Sequence, residues 1–435
     1  MASHLLSPTD MPASDNGNSR LTAALLIFGL YLPTSLGGNS SKLLVGFGFL
    51  LSLACIVRII IKTKKLPASL PKVAILCAVP MLLLFSATSK LSTYTPGALA
   101  GYVVISCMFL LNVREIEFTP WVGKVIVGVN ILNILLCAAV LLGNGWVDDF
   151  LTAHYSMFYP ELVPNMLYFR EPVLTFATHS LAGFFLYLFF YVNFQAYKIL
   201  GRKLFLGFGL CYLIFMVSLI SVTGLAFGLL AGFQILYHAC SRIRLWQATC
   251  LLFALALLGV VVSLQSTNSV ETMADRTLQL GATIATSPAG GFSGRFMVGG
   301  TLYGDVQYLE GHPFSPVGLT YRDDLMFADS GWLEYLLRGS LVLFVWAYGG
   351  LFFFLKRNLL HRFDFYLLFG VTVAFEFGFT VMTYFRTAYL LLFFIIYLNH
   401  LRRTATAKTI RGPNRCTAAT RLSQRATGMG PSSAT

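Results

Sequence analysis

"REPVLTFATHSLAGFFLYLFFYVNFQAYKIL" runs from Arg170 to Leu200. Two opposite charges stand first, Pro172 follows, and from Leu181 the residues are mostly Phe, Leu and Tyr. Apolar runs of about 20 residues suit the ~30 Å hydrocarbon core of a bilayer. The runs of this chain also lack the period-two alternation of membrane-barrel strands. Proline is favoured in the first turn of a helix. The stretch therefore predicts a membrane-spanning helix over 172–195. Arg170 and Glu171 stand at its outer end, with His179 and Ser180 about two turns in. Ionisable groups at that depth are costly and face a cavity or a partner.

The rest of the chain repeats the pattern. Of its 435 residues 56% are hydrophobic and only 11% charged, whereas soluble domains carry roughly 25% charged residues. The expected fold is all-α, a polytopic bundle of about 12 transmembrane helices. The predicted spans are 21–36, 43–61, 71–88, 96–113, 122–143, 172–195, 204–222, 223–238, 245–264, 332–355, 364–384 and 386–401. Residues 1–20 read as a cytoplasmic N-terminal tail, 21–401 as the membrane domain and 402–435 as a disordered basic cytoplasmic tail. That tail has seven basic residues and no acid, so it is expected to meet anionic headgroups and to be dispensable for chemistry.

A net charge of +13 raises the question of nucleic acid, but its distribution answers it. With both termini inside, all but Lys42, Lys90, Arg170, Arg276, Arg295, Arg322, Arg338 and Arg386 fall on the cytoplasmic side. This is the positive-inside bias, and no nucleic-acid partner is called for. The basic residues left outside are not explained by topology. None of the eight cysteines lies in an external loop, which leaves no disulfide framework. No His or Cys spacing resembles a metal site. No phosphate-binding P-loop or dinucleotide fingerprint occurs. No cofactor is expected.

Two external segments are long, 144–171 and 265–331. Loops of that length are usually functional, and short helices and turns at the membrane surface are expected in both. In the first, Phe150, Tyr155, Phe158, Tyr159, Tyr168 and Phe169 interleave with Asp148, Asp149, His154 and Glu161. Such residues hold sugars by stacking and by accepting hydroxyl protons, and they equally make an interfacial aromatic belt. In the second, Ser293-Gly294-Arg295 offers a flexible backbone and a planar guanidinium for phosphate oxygens. Glu310 and His312 lie in "EGHPFSPVGL", where Pro313 and Pro316 stiffen the backbone. A fixed His beside a Glu suits acid–base or orienting work, or a loop cap. Asp329 or Ser330 is a natural N-cap for the next span. Glu334 and Arg338 stand at i,i+4, the spacing of a structural salt bridge. Glu376 falls within the predicted 364–384 span, with structural and functional readings both open. Gly224, Gly228 and Gly232 form a helix-packing seam.

Taken in order, "REPVLTFATHSLAGFFLYLFF", "SLISVTGLAFGLLAG", "SGRF", "EGHPFSPVGL" and "DSGWLEYLLRGSL" resemble the O-antigen polymerase and ligase superfamily of bacterial envelopes over roughly residues 165–345. The matching positions are Ser293-Gly294-Arg295, His312-Pro313 with Gly318, Asp329, and Arg170 as the arginine preceding a mid-chain span. Where family members often carry an arginine after S-x-S, this chain has Val222-Thr223-Gly224. The resemblance implies a membrane glycosyltransferase acting on an undecaprenyl-diphosphate-linked saccharide at the periplasmic face of the inner membrane. Arg295, His312 and Glu310 would be catalytic. Arg170, Arg386, His179 and Asp329 would bind substrate. Membrane lipids, a flippase and a chain-length regulator would be its partners. Polymerisation of repeat units is favoured. Alternatives are ligation of a finished glycan to lipid A core and non-catalytic transport of polysaccharide. The topology carries its own test: a cysteine at Ser293 should react with an impermeant thiol reagent from outside the inner membrane. Reaction only after that membrane is permeabilised would invert the orientation.

Overall fold

A computed structural model describes residues 16–36, 39–40, scattered positions between 43 and 61, 95–156 without 115 and 117, 161–240 without 220, 331–376, and 381–426 without 383. Within these, the fold is all-α. The helices are α1 (Asn16–Tyr31), α2 (Thr95–Leu110), α3 (Pro120–Leu141), α4 (Gly145–Tyr155), α5 (Leu162–Tyr168), α6 (His179–Leu200), α7 (Lys203–Ser218), α8 (Val222–Cys240), α9 (Gly331–Asn358), α10 (Arg362–Glu376) and α11 (Phe385–Ala426). The extended structure is one antiparallel pairing of β1 (Ser35–Leu36) with β2 (Asn39–Ser40). The predicted span 43–61 is helical at each described position. Spans 71–88 and 245–264 lie outside the described residues.

α6 is central. It packs on α7, α8 and α11, and α11 in turn meets α1 and α2. Every residue of α6 from Ser180 to Ala196 is buried, the mark of a helix surrounded by others. Its boundaries correct the predicted 172–195. Thr178, not the segment around Pro172, is the N-cap: its side chain accepts from Leu181 N at 3.2 Å. Gly201, left-handed at φ +73°, ends the helix, because only a residue without Cβ takes that conformation freely. His179 is thus the first helical residue rather than one two turns in. α7 ends at Ser218 and α8 starts at Val222, where Ser221 Oγ accepts from Gly224 N at 2.9 Å.

Burial on α3 follows one face, through Val122, Ile126, Val129, Asn130, Asn133, Cys137 and Val140, at the three-and-four spacing of a helix. The other face is apolar too, with Ile131, Leu132 and Leu135 exposed. Leu225, Leu229 and Phe233 on α8, and Val345 and Phe353 on α9, also face outward. Two described segments, Pro120–Leu141 and Leu341–Asn358, are long and apolar enough to cross a membrane.

The polar groups lie inside. Tyr31 OH donates to Asn133 Oδ1 at 2.7 Å, and Asn133 Nδ2 donates to the Tyr212 hydroxyl at 3.3 Å. Tyr212 OH and Asn193 Nδ2 both donate to Asn130 Oδ1, at 2.8 and 2.9 Å. One ladder therefore links α1, α3, α7 and α6. Outward-facing apolar residues around internal side-chain hydrogen bonds suit a lipid surround, where helices gain little from hydrophobic burial against each other and rely on close packing and hydrogen bonds. The close packing is visible at Gly29, where a Cβ would stand 2.7 Å from Leu390 of α11. Gly224 of the predicted glycine seam lies against Gly183 of α6, whose added Cβ would come within 3.4 Å of Gly224 N.

One end of the bundle is held by basic residues. Arg402 grips Asp364 through Nε at 2.8 Å and Nη2 at 2.6 Å, and also donates to Gln195 at 3.1 Å. Tyr191 OH donates to the same carboxylate at 2.5 Å. Arg357 donates to the carbonyls of Phe109 and Leu111, Asn358 to Leu111, and Arg403 to Arg114 and Ile116. The last carbonyls of α2 and the turn after it thus receive side-chain donors. The boundary expected at 401/402 falls inside α11, which continues to Ala426. The expected disordered tail is corrected to that extent, because Arg402 and Arg403 are built into the bundle.

Asp364 is 1% exposed at its side chain, and removing one partner of a buried pair costs about 3–5 kcal/mol. Truncation after Leu401 should therefore lower the melting temperature sharply in detergent, while truncation after Ala407 should not. Equal melting of the two truncated chains would contradict a structural role for Arg402.

Candidate functional site

The opposite end of the bundle carries the described site residues. Leu174 and Ala177, like Arg170, have left-handed backbones, at φ 52°, 61° and 60°. Non-glycine residues rarely adopt this region and pay for it, so such positions persist only where surrounding contacts enforce them. Residues 171–178 are all buried. They form an irregular connection between α5 and α6 where the sequence predicted regular helix from Pro172.

Arg386 supplies the enforcing contacts. It is fully buried at the start of α11. Its Nη1 donates to Thr175 O at 2.6 Å and to Thr175 Oγ1 at 3.3 Å, and its Nη2 donates to Leu32 O just beyond α1. Thr175 Oγ1 donates to Leu30 O. The guanidinium lies 5.2 Å from the Tyr155 ring centre, within cation–π range. Tyr155 OH donates to Tyr31 O at 2.8 Å. Arg386 was expected to bind substrate from an external turn. Its side chain is instead committed to protein carbonyls, with only Nε lacking a hydrogen-bond partner. It acts by positioning.

Arg170 is different. Its side chain is 29% exposed, and its Nη1 donates to Asp148 Oδ2 at 2.7 Å. Gly143, at φ +75°, lies against it, and a Cβ there would fall 2.8 Å from Cζ. Burial pushes the Asp148 carboxyl above its ordinary range; Arg170 opposes this and Asp149 adds to it. Asp148 and Tyr155 are seven residues apart, two turns along α4, so one helix contacts both arginines. As expected, the 144–171 segment folds into short helices. Asn144 caps α4 by accepting from Val147 N at 3.3 Å, and Val147, Leu151 and Tyr155 form its buried face.

His179 Nδ1 stands 3.9 Å from Glu171 Oε2. The imidazole is part-exposed at the start of α6, and the carboxylate is buried. Arg170, Glu171 and His179 are thus gathered around one short connection. Glu376, expected within a span, ends α10. Its Oε1 accepts from Val381 N at 3.0 Å and Met382 N at 2.5 Å, and its Oε2 accepts from Tyr348 OH at 2.8 Å. This is structural: the carboxylate caps the turn leading into α11. Gly331, the first residue of α9, packs against the same carboxylate. Arg295, Glu310, His312 and Asp329 lie outside the described residues, as do the side chains of Glu334 and Arg338.

Sequence reading noted Tyr155 and Asp148 as members of an aromatic and acidic loop but missed their pairing with Arg386 and Arg170. Their seven-residue spacing was the available signal. Nothing local in the sequence marks Thr175 or Leu32 as partners of Arg386, because those carbonyls are more than 200 and 350 positions away.

Replacing Arg386 by Met strands two buried carbonyls, at about 1–3 kcal/mol each. Stability should fall, and hydrogen exchange at 173–178 should rise in the purified protein. Unchanged exchange there would show that Arg386 does not enforce the connection. Compared against models of protein families, curated proteins and solved structures, the chain finds no match.

Proposed function

We propose that this chain is a metal-independent membrane glycosyltransferase that polymerises undecaprenyl-diphosphate-linked repeat units, into O-antigen or exopolysaccharide, at the periplasmic face of the inner membrane. In this reading the chain crosses the membrane about 12 times, with both termini cytoplasmic. The observation that carries it is Arg170: a part-exposed guanidinium held on an enforced backbone at the end of the bundle opposite the Arg357–Arg402–Arg403 cluster. Positive-inside logic does not account for a cation there, and a lipid-borne diphosphate needs one. α9 begins at this same end, with Gly331 against Glu376. In this reading Arg295, Glu310, His312 and Asp329, which precede α9 in the sequence, act at this same end.

In the reaction, an acceptor sugar hydroxyl attacks the anomeric carbon of the donor. The glycosidic bond forms as the bond from that carbon to the phosphate oxygen breaks. The hydroxyl loses its proton, and the lipid diphosphate leaves with the electron pair. No metal or nucleotide is required, because the diphosphate is already an activated leaving group. Arg295 and Arg170 stabilise the charge that builds on it. His312 or Glu310 receives the proton or orients the hydroxyl. His179 and Glu171 border the same site, Asp329 binds the substrate, and Arg386 holds the site's backbone. A flippase delivers the donor, and a chain-length regulator acts on the growing product. A ligase would differ in its acceptor and would give a single transfer.

Arg295→Ala and His312→Ala should each cut polymer formation by roughly 10²–10³, by analogy with removal of one transition-state donor. Protein level and insertion should stay normal. Arg295→Lys should rescue poorly, because an ammonium lacks the planar fork. Near wild-type polymer in both alanine variants, measured by chain-length distribution in cells, would reduce the 265–331 segment to a structural cap.

A further inference from the structure

Resting on the reading of Arg170 as a diphosphate ligand, we propose that Asp148 is a selectivity residue. Its carboxylate occupies Arg170 at rest, keeps singly charged phospholipid headgroups off it, and yields to a lipid-borne diphosphate. A part-exposed arginine at a bilayer surface is surrounded by phosphodiesters, each with one negative charge. They far outnumber any lipid-linked saccharide, so an open Arg170 would be saturated by the wrong anion. A carboxylate of equal charge, already in place, removes their advantage. A diphosphate linking a sugar to a lipid carries two negative charges and more acceptor oxygens, and it still gains by binding.

The geometry fits a contact made to be exchanged. Arg170 makes one side-chain hydrogen bond, Nη1 to Asp148 Oδ2 at 2.7 Å. A guanidinium has five N–H donors and commonly grips a carboxylate with two parallel bonds. Asp148 does not accept the second: its Oδ1 is buried without a hydrogen-bond partner. Leaving a buried polar atom unpaired costs free energy, so the resting pair is weaker than the two-bond clamp of Arg402 on Asp364 at the other end. Gly143 lets bare backbone lie against the guanidinium, since a Cβ there would stand 2.8 Å from Cζ and 2.9 Å from Nη2. The charged groups bearing on Asp148 are Arg170, from the α5–α6 connection, and Asp149 on its own helix.

The test uses the purified full-length chain in nanodiscs of phosphatidylcholine with increasing phosphatidylglycerol. Geranylgeranyl diphosphate is the titrant, read by calorimetry against empty discs. In phosphatidylcholine, Asp148→Asn should bind the probe roughly fivefold tighter than wild type, the size of one part-exposed ion pair removed from competition. That advantage should shrink as phosphatidylglycerol rises, because its headgroups then occupy the freed arginine. Asp148→Ala should behave alike, and inorganic pyrophosphate should displace the probe in the same order across the variants. An Asp148→Asn affinity no tighter than wild type, or a ratio indifferent to phosphatidylglycerol, overturns the proposal alone. If Arg170→Gln binds the probe as tightly as wild type, the assignment of Arg170 to the diphosphate fails and the proposal falls with it.

Discussion

A fully buried guanidinium organises one end of this molecule. Arg386 ties the chain beyond α1, the α5–α6 connection and the aromatic face of α4 to the first turn of α11. Burying a charge is costly unless it is well hydrogen-bonded. Here carbonyls, a threonine hydroxyl and an aromatic ring replace the water. The same bonds hold Thr175 between left-handed Leu174 and Ala177, in the connection that runs from Arg170 and Glu171 to His179.

The two ends of the bundle use arginine in different ways. At the Arg402 end, Arg357 and Arg403 cap carbonyls and Arg402 locks onto Asp364 through two bonds, with Tyr191 completing the carboxylate. At the Arg386 end, one arginine is committed to the backbone and the other, Arg170, has a part-exposed side chain bonded to Asp148. Sixteen residues of α11 separate Arg386 from Arg402, about 24 Å of helix, comparable to the ~30 Å hydrocarbon core. Between them runs the Tyr31–Asn133–Tyr212–Asn130–Asn193 ladder. It ties four helices, α1, α3, α7 and α6, together through side-chain hydrogen bonds.

The helical class could be read directly, since runs such as those of α3 and α6 admit little else. Several ends could not. The sequence put a helix start at Pro172, by the general preference of proline for a first turn. The structure starts it at His179 because Thr178 caps and because Arg386, remote in sequence, pulls Thr175 out of helical geometry. Glu376 looked like a charge within a span because hydropathy continues beyond it; its carboxylate in fact accepts from the backbone N–H groups of Val381 and Met382, ahead of α11. Arg402 looked like the first residue of a polar tail because composition changes there, yet its partner Asp364 lies a whole helix away. Arg170 was legible, as an external cation that topology does not explain. Its partner Asp148 was visible only as one acid among several, because the choice of Asp148 over Asp149 depends on which side of α4 packs inward.

Extension of a lipid-linked diphosphate sugar at the Arg170 end is the chemistry proposed for this chain. The most direct measurement is a reconstitution of the purified chain in liposomes with its lipid-linked repeat unit alone, resolved by gel. A ladder of lipid-linked products spaced by one repeat, absent when Arg170 is replaced by Gln, is the expected result. A single transfer to an added lipid acceptor with no ladder, or donor that moves across the bilayer unchanged, would contradict polymerisation.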